Sequence, residues 1–436
     1  MFRLKKQMFI VQLLVILVVL SGCGGAEPAN TAPTAKPVEE KQVEEVDSGP
    51  IELVVWSSDF GLELTEAFEK EHPNVKVIMS DMGWDQELYQ NTLNAIQTGN
   101  APDVVVGESY VQRLASEGHL LPLDEVINDL KTDLVPGTYI DSEYEGNVYS
   151  IPLFTGVFTL ERNCEVVEKA GLDCNSPPTS WDELLEQAKT ITEQGEGDYY
   201  GYSIQGPTGL SVGSIFRLAV YLEQAGAPIC KNSCTEPYFN NPDTIAVLEF
   251  IRELNRFTPP GLTLNPDEGQ VYTALFEGKS AYQIAGSWHP NWAKDAGCKD
   301  CRYSPLPFPD EGEAANKVVG NAVYMVLAQS KHPEMAYEWV KFAASPERQE
   351  TVFAKSGRLP VSRSALTKLK PEVDEAVNTF IDELLNNPNL AGLPQWRIDP
   401  QRTWGVYNEL LMDVLTTEKP IGEIIEEAQL NVEKIK

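Results

Sequence analysis

Basic residues are scarce in this chain. Its 34 Lys and Arg stand against 65 Asp and Glu, a formal charge of −31. A phosphate backbone needs a basic face, so nucleic acid is excluded as a partner. The acidity reads as a solvated surface, and attraction of a cationic ligand such as a polyamine stays open beside it. Histidine is scarcer still, with 4 in 436 residues. None stands in a His-Glu-x-x-His or other paired-ligand spacing, so neither a catalytic metal nor another cofactor is expected. A Gly-x-x-x-x-Gly-Lys-[Ser/Thr] loop is missing, which excludes nucleotide binding of the P-loop kind. No repeat with a period of about 20–50 residues stands out, which argues against a solenoid or propeller. A membrane-spanning run is also lacking: the apolar stretch from Met8 to Leu20 falls short of the roughly 20 residues a span needs.

That short stretch has another reading. Arg3, Lys5 and Lys6 precede it and Leu20-Ser21-Gly22-Cys23 follows it. A basic start, an apolar core and small residues before a cysteine resemble a bacterial lipobox, so residues 1–22 read as a lipoprotein signal peptide and Cys23 as the acylated residue. Palmitate-type chains would then hold the protein on the outer face of the cytoplasmic membrane. Residues 23–50 carry the lipidated Cys and a tether rich in Ala, Pro, Thr and Glu, without an aromatic residue, and too polar to fold. Six cysteines remain in three close pairs: Cys164 with Cys174, Cys230 with Cys234, and Cys298 with Cys301. In an exported protein three local disulfides are the economical reading, although six cysteines allow 15 connectivities.

Beyond the tether the chain alternates strand and helix. Ile51 to Trp56, Val75 to Met79 and Asp103 to Val106 read as strands, and the segments around Leu64 to Phe68 and Leu88 to Ile96 as helices. This βαβ order predicts a parallel sheet, with ligands at the carboxyl ends of its strands. Val318 to Ala328 reads as a buried strand, and Pro333 suits the first turn of the helix carrying Ala336, Trp339, Val340 and Ala343. Ser180 and Glu183 predict a capping box for the helix carrying Leu184, Leu185, Ala188 and Ile191.

Several longer runs then fall into one order. They are Leu114-Ala115-Ser116-Glu117-Gly118-His119-Leu120-Leu121-Pro122-Leu123-Asp124, Tyr149-Ser150-Ile151-Pro152, and Lys169-Ala170-Gly171-Leu172 before Pro178-Thr179-Ser180-Trp181-Asp182-Glu183-Leu184. Phe276-Glu277-Gly278-Lys279-Ser280-Ala281 leads to Gly286-Ser287-Trp288. The strand from Val318 precedes Lys331-His332-Pro333 and then Gly357-Arg358-Leu359-Pro360. Together they resemble bacterial extracellular solute-binding proteins of family 1, the maltose-binding-protein-like sugar receptors of ABC importers. The chain departs from the pattern by an extra Ser before Trp181. The resemblance implies a two-lobed α/β periplasmic-binding-protein fold of type II, with lobes joined by crossing hinge strands. Residues 51–154 and 322–366 would form lobe I, and residues 155–320 and 367–436 lobe II. It implies a receptor that captures a carbohydrate between its lobes and delivers it to a membrane permease, and that is not an enzyme. A monomer is expected.

Sugars offer hydroxyl groups and apolar ring faces, so their sites need carboxylates, amides and aromatic rings. By motif position Trp288 and Trp396 are the expected stacking aromatics. Ser58 and Asp59 fall at the loop after the first strand, Trp84 after the second, and Glu108 and Tyr110 after the third. Phe154 and Asn321 fall at the two crossovers. Trp56, Trp181 and Trp339 are assigned to packing. One enzyme-like motif competes: Gly209-Leu210-Ser211-Val212-Gly213 fits a nucleophile elbow, with Ser211 as nucleophile and His289 or His332 as the base.

Overall fold

The run Ile-Pro-Leu-Phe-Thr-Gly-Val-Phe-Thr-Leu-Glu-Arg-Asn becomes one strand, Ile151–Asn163, and all 13 of its residues are buried. At 3.3 Å per residue it is about 40 Å long. A strand so uniformly buried must be covered on both faces. In the computed structural model, the described residues are 49–57, 61–83, 85–107, 110–139, 142–207, 213–231, 235–265, 267–391 and 400–435. The signal peptide, Cys23, most of the tether, Ser58, Asp59, Trp84, Glu108, Cys234, Ser211 and Trp396 lie outside them.

The long strand serves two neighbourhoods. Its first half pairs antiparallel with a second long strand, Asn316–Val326, with Tyr324 opposite Ile151 and Ala322 opposite Phe154. On its other side Leu359–Pro360 pairs with Thr155 and Phe154. Its second half pairs with Ser280–Gly286 on one side and Cys301–Ser304 on the other, both antiparallel. The full order runs Val75–Ser80, Ile51–Trp56, Val104–Gly107, Asn316–Val326, Ile151–Asn163, Ser280–Gly286, Tyr200–Tyr202. The first three strands are mutually parallel, as expected. Asn316–Val326 shifts register between Val319 and Val323, so the ladder is irregular beside the middle of the long strand.

The two largest cores among the described residues pack against this sheet. Beside the N-terminal strands, Phe68, Trp339 and Val340 pack with Leu53, Val55, Val104, Leu153 and Phe154. Phe68 meets Trp339 edge to face at 5.1 Å. The buried Asp103 carboxylate ties this region together. It accepts the Val54 N–H at 2.9 Å, the Ser330 hydroxyl at 2.6 Å and the N–H groups of Lys331 and His332 at 3.0 and 3.2 Å. Those bonds fix the turn into helix Pro333–Ala343, where Pro333 stands at the first position. Around the other end, helices Trp181–Gly195, Gly213–Gln224 and Pro242–Asn255 build the larger core, joined by C-terminal helices Pro400–Thr416 and Ile421–Glu433. Trp181 stacks on Phe250 at 4.2 Å and donates its indole N–H to Gln224 at 3.1 Å.

The helix signals hold in kind. Ser180 accepts the Glu183 N–H at 3.2 Å, while the Glu183 carboxylate reaches one residue further back than a capping box would place it, to the Thr179 N–H at 2.7 Å. Cys164 pairs with Cys174 and Cys298 with Cys301. Cys230 is also in a disulfide. Strand Tyr200–Tyr202 is short and pairs parallel with Ser280 and Tyr282 of its neighbour. Among the described residues no helix is long and apolar enough to cross a membrane.

Candidate functional site

Strands Tyr200–Tyr202 and Ser280–Gly286 run parallel, so their carboxyl ends share an edge. Chain following the second of these turns into helix His289–Asp295, with Pro290 in its first turn and Trp288 at its N-cap. Trp288 is half-buried. Its indole folds back over Gly286, where a Cβ would lie 2.4 Å from Trp288 Cη2. Only glycine leaves that room. The Arg358 guanidinium lies 4.8 Å from the Trp288 ring centre and 5.6 Å from that of Phe154. Cation–π contact of this kind is worth about 0.5–2 kcal/mol. Arg358 follows Gly357, which has φ +69° and whose added Cβ would fall 2.3 Å from the Asn291 amide nitrogen. The Gly-Arg-Leu-Pro loop therefore sits against the first turn of the Trp288 helix and pairs, through Leu359 and Pro360, with the middle of the long strand.

One residue beyond Trp288, His289 is fully buried, and its Nδ1 lies 2.8 Å from Glu161 Oε2. The Gln283 amide donates to the same oxygen at 2.7 Å and the Tyr303 hydroxyl to Oε1 at 2.5 Å. Thus Glu161, itself 0% exposed, accepts from a strand on each side of it and from the helix that carries Trp288. Burying a carboxylate is tolerated because three donors replace its water. Burial pushes the His289 imidazole below its ordinary value, against the pull of Glu161, and the contact has Nδ1–H donating to the carboxylate oxygen. His289 Nε2 has no hydrogen-bond partner. Burial also raises the Tyr303 phenol well above its ordinary value, and the Glu161 charge adds to this.

Next to His289 lies Tyr272, 4.3 Å away edge to face. Its hydroxyl accepts from the buried Arg217 guanidinium and donates to Gln205 Oε1 at 3.4 Å. Arg217 also lies 3.5 Å from Glu268 and 5.5 Å from the Phe158 ring centre. Burial lowers the affinity of Arg217 for its proton, and Glu268 opposes this.

Of the sequence candidates, the structure brings Phe154 and Trp288 together through Arg358. Phe154 itself is 1% exposed. Tyr110 is 4% exposed and stacked on Tyr89 at 4.2 Å, with a left-handed φ of 78°. Asn321 belongs to the irregular part of strand Asn316–Val326, and its side chain lies outside the described residues. Sequence reasoning missed Arg358, Arg217, Gln205 and the Glu161 node. Arg358 was visible inside the Gly-x-Leu-Pro motif, as the x. Elsewhere, a groove of about 950 Å³ between helices Asp124–Leu130 and Pro333–Ala343 is lined by none of these candidates.

Comparison with known proteins decides the class. The sequence profile of the bacterial extracellular solute-binding protein family matches residues 59–350. The chain belongs to that family. It is 23% identical to the sn-glycerol-3-phosphate-binding periplasmic protein UgpB of Escherichia coli over 431 residues, covering 93% of this chain and 92% of that one. The cyclic α-maltosyl-1,6-maltose binding protein of Arthrobacter globiformis shares the fold at a TM-score of 0.76 and 20% identity, covering 89% of this chain and 99% of that one. UgpB of Mycobacterium tuberculosis, solved with glycerophosphocholine, superposes at a TM-score of 0.73 and 21% identity over 89% of this chain and 98% of that one. The fold is thus that of the two-lobed α/β periplasmic sugar-binding proteins. As a member of that family the chain is an extracellular solute-binding protein, periplasmic in bacteria. It is not an enzyme. The hydrolase alternative falls with that assignment.

Proposed function

We propose that the solute is a carbohydrate, taken beside Trp288. The observation that carries this reading is the half-buried indole, fixed over Gly286, beside the Arg358 guanidinium at the end of a parallel strand pair. A sugar needs an apolar plate and hydrogen-bond donors at its rim, and indole plus guanidinium provide both. The Arg358 cation beside the indole argues against a polyamine. The same Arg358 favours a second reading, a phosphate ester of a polyol, since a guanidinium matches phosphate geometry. The name of the E. coli relative points the same way.

Residues 51–154 and 322–366 would make one lobe and residues 155–320 and 367–436 the other. The register shift between Val319 and Val323, beside the middle of the long strand, is where two lobes would hinge. Closure on the solute would present the receptor, as a monomer, to a membrane permease. The signal-like start and Cys23 support a lipid anchor, and Cys23→Ala should release the protein from the membrane fraction.

A thermal-shift panel tests the solute class: mono- and oligosaccharides, glycerol phosphodiesters and polyamines. A ligand at about 100 times its Kd stabilises by roughly 2.7 kcal/mol. A shift with sugars alone supports the first reading, and a shift with phosphodiesters alone replaces it with the second. A shift with polyamines alone contradicts both.

A further inference from the structure

Among the described residues, the exposed large apolar side chains are Leu62, Ile78, Leu264, Trp292 and Leu430, and Trp292 is the one aromatic ring among them. It is 43% exposed. It stands four residues after Trp288, and such pairs are neighbours on a helix. Their ring centres are 6.3 Å apart at 61°. The Trp292 indole does not hang free: it lies 5.6 Å from His289 at 29° and 5.6 Å from Tyr272 at 35°. An exposed ring held from behind loses little freedom on binding, which is what a stacking plate requires.

Hydrogen-bonding capacity lies behind it. Tyr272 connects the indole to Arg217 and Gln205. Gln205 is buried too, 5% exposed.

We propose that Trp292 is a second stacking plate adjoining Trp288, and that the solute is an oligosaccharide rather than a single sugar. The inference rests on the carbohydrate reading above. One ring seats beside Trp288. The next seats on Trp292. Two plates at an angle suit a chain that bends between adjacent rings.

The test uses the mature protein, fluorescently labelled, on an array of mono- to hexasaccharides of the gluco-, manno-, galacto- and xylo- series. Wild type should be retained more strongly by oligosaccharides than by the monosaccharide of the same series. Trp292→Ala should lose about tenfold on the oligosaccharides, a loss of the size expected for one stacked ring. It should leave monosaccharide retention unchanged, and Trp292→Phe should recover most of the loss. The exposed position keeps the Ala variant folded, which an unchanged Tm verifies. An unchanged length profile in Trp292→Ala overturns this inference alone. Retention of no glycan by the wild type overturns the carbohydrate reading and this inference with it.

Discussion

The two halves of strand Ile151–Asn163 are equally buried and differently built. The first half, with Ile151, Leu153 and Phe154, sits in an apolar core beside Val104, Val326 and Trp339. The second half carries Glu161, Arg162 and Asn163, all buried. There the Asn163 amide bonds the Leu275 carbonyl at 2.8 Å, and the Arg162 guanidinium bonds the Cys174 carbonyl at 3.0 Å. Two disulfides begin or end beside it, at Cys164 and Cys301. Apolar packing is non-directional and tolerates small slips. Hydrogen bonds to a buried carboxylate fix angles as well as distances. The half that must hold Trp288 at a set orientation is the half built from directional contacts.

The largest expected effect comes from removing the node. Glu161→Leu leaves the donors of Gln283, His289 and Tyr303 buried without an acceptor, at a cost of about 3–5 kcal/mol. Leu153→Ala in the other half costs about 2–5 kcal/mol by opening a cavity. Urea unfolding measures both losses. The contrast lies in binding: the Glu161 variant should also weaken solute affinity in the folded protein, and the Leu153 variant should not. Equal effects on affinity would erase the distinction between the halves. Replacing Cys298 and Cys301 together by Ser should cost about 2 kcal/mol, from the short loop they close. Ser180→Ala, a cap remote from the site, should cost about 1 kcal/mol and leave binding untouched.

Acid has an effect of similarly modest size. The folded state holds His289 below its ordinary value of 6.5. Around that pH the unfolded chain binds a proton that the folded chain does not, so this contribution is fully present above pH 6.5 and is lost as the pH falls below it. The slope is at most about 1.4 kcal/mol per pH unit. His289→Asn should flatten it, as denaturant midpoints at pH 7.5 and 5.5 would show. An unchanged slope would assign the acid sensitivity to other groups.

Much of the frame was legible in the sequence because it is written locally. Alternating strands and helices, Pro333 at a helix start and Ser180 at a cap each depend on neighbours within a few residues. The polar half of the long strand was not legible. Glu161 finds its partners 122 to 142 residues away, and no local pattern marks a carboxylate for burial. Arg358 was hidden as the variable position of a recognised motif. Trp292 was within reach, since its spacing from Trp288 is that of one helix face.

The account stands most directly on Trp288. Calorimetric titration of wild type and Trp288→Ala with the strongest sugar from the thermal panel measures its part. Loss of a central aromatic contact worth about 2–4 kcal/mol weakens binding roughly 30- to 1,000-fold in a variant that remains folded. That result places the solute on the indole beside Arg358. A folded Trp288→Ala protein that binds the same sugar with the wild-type Kd would contradict the account.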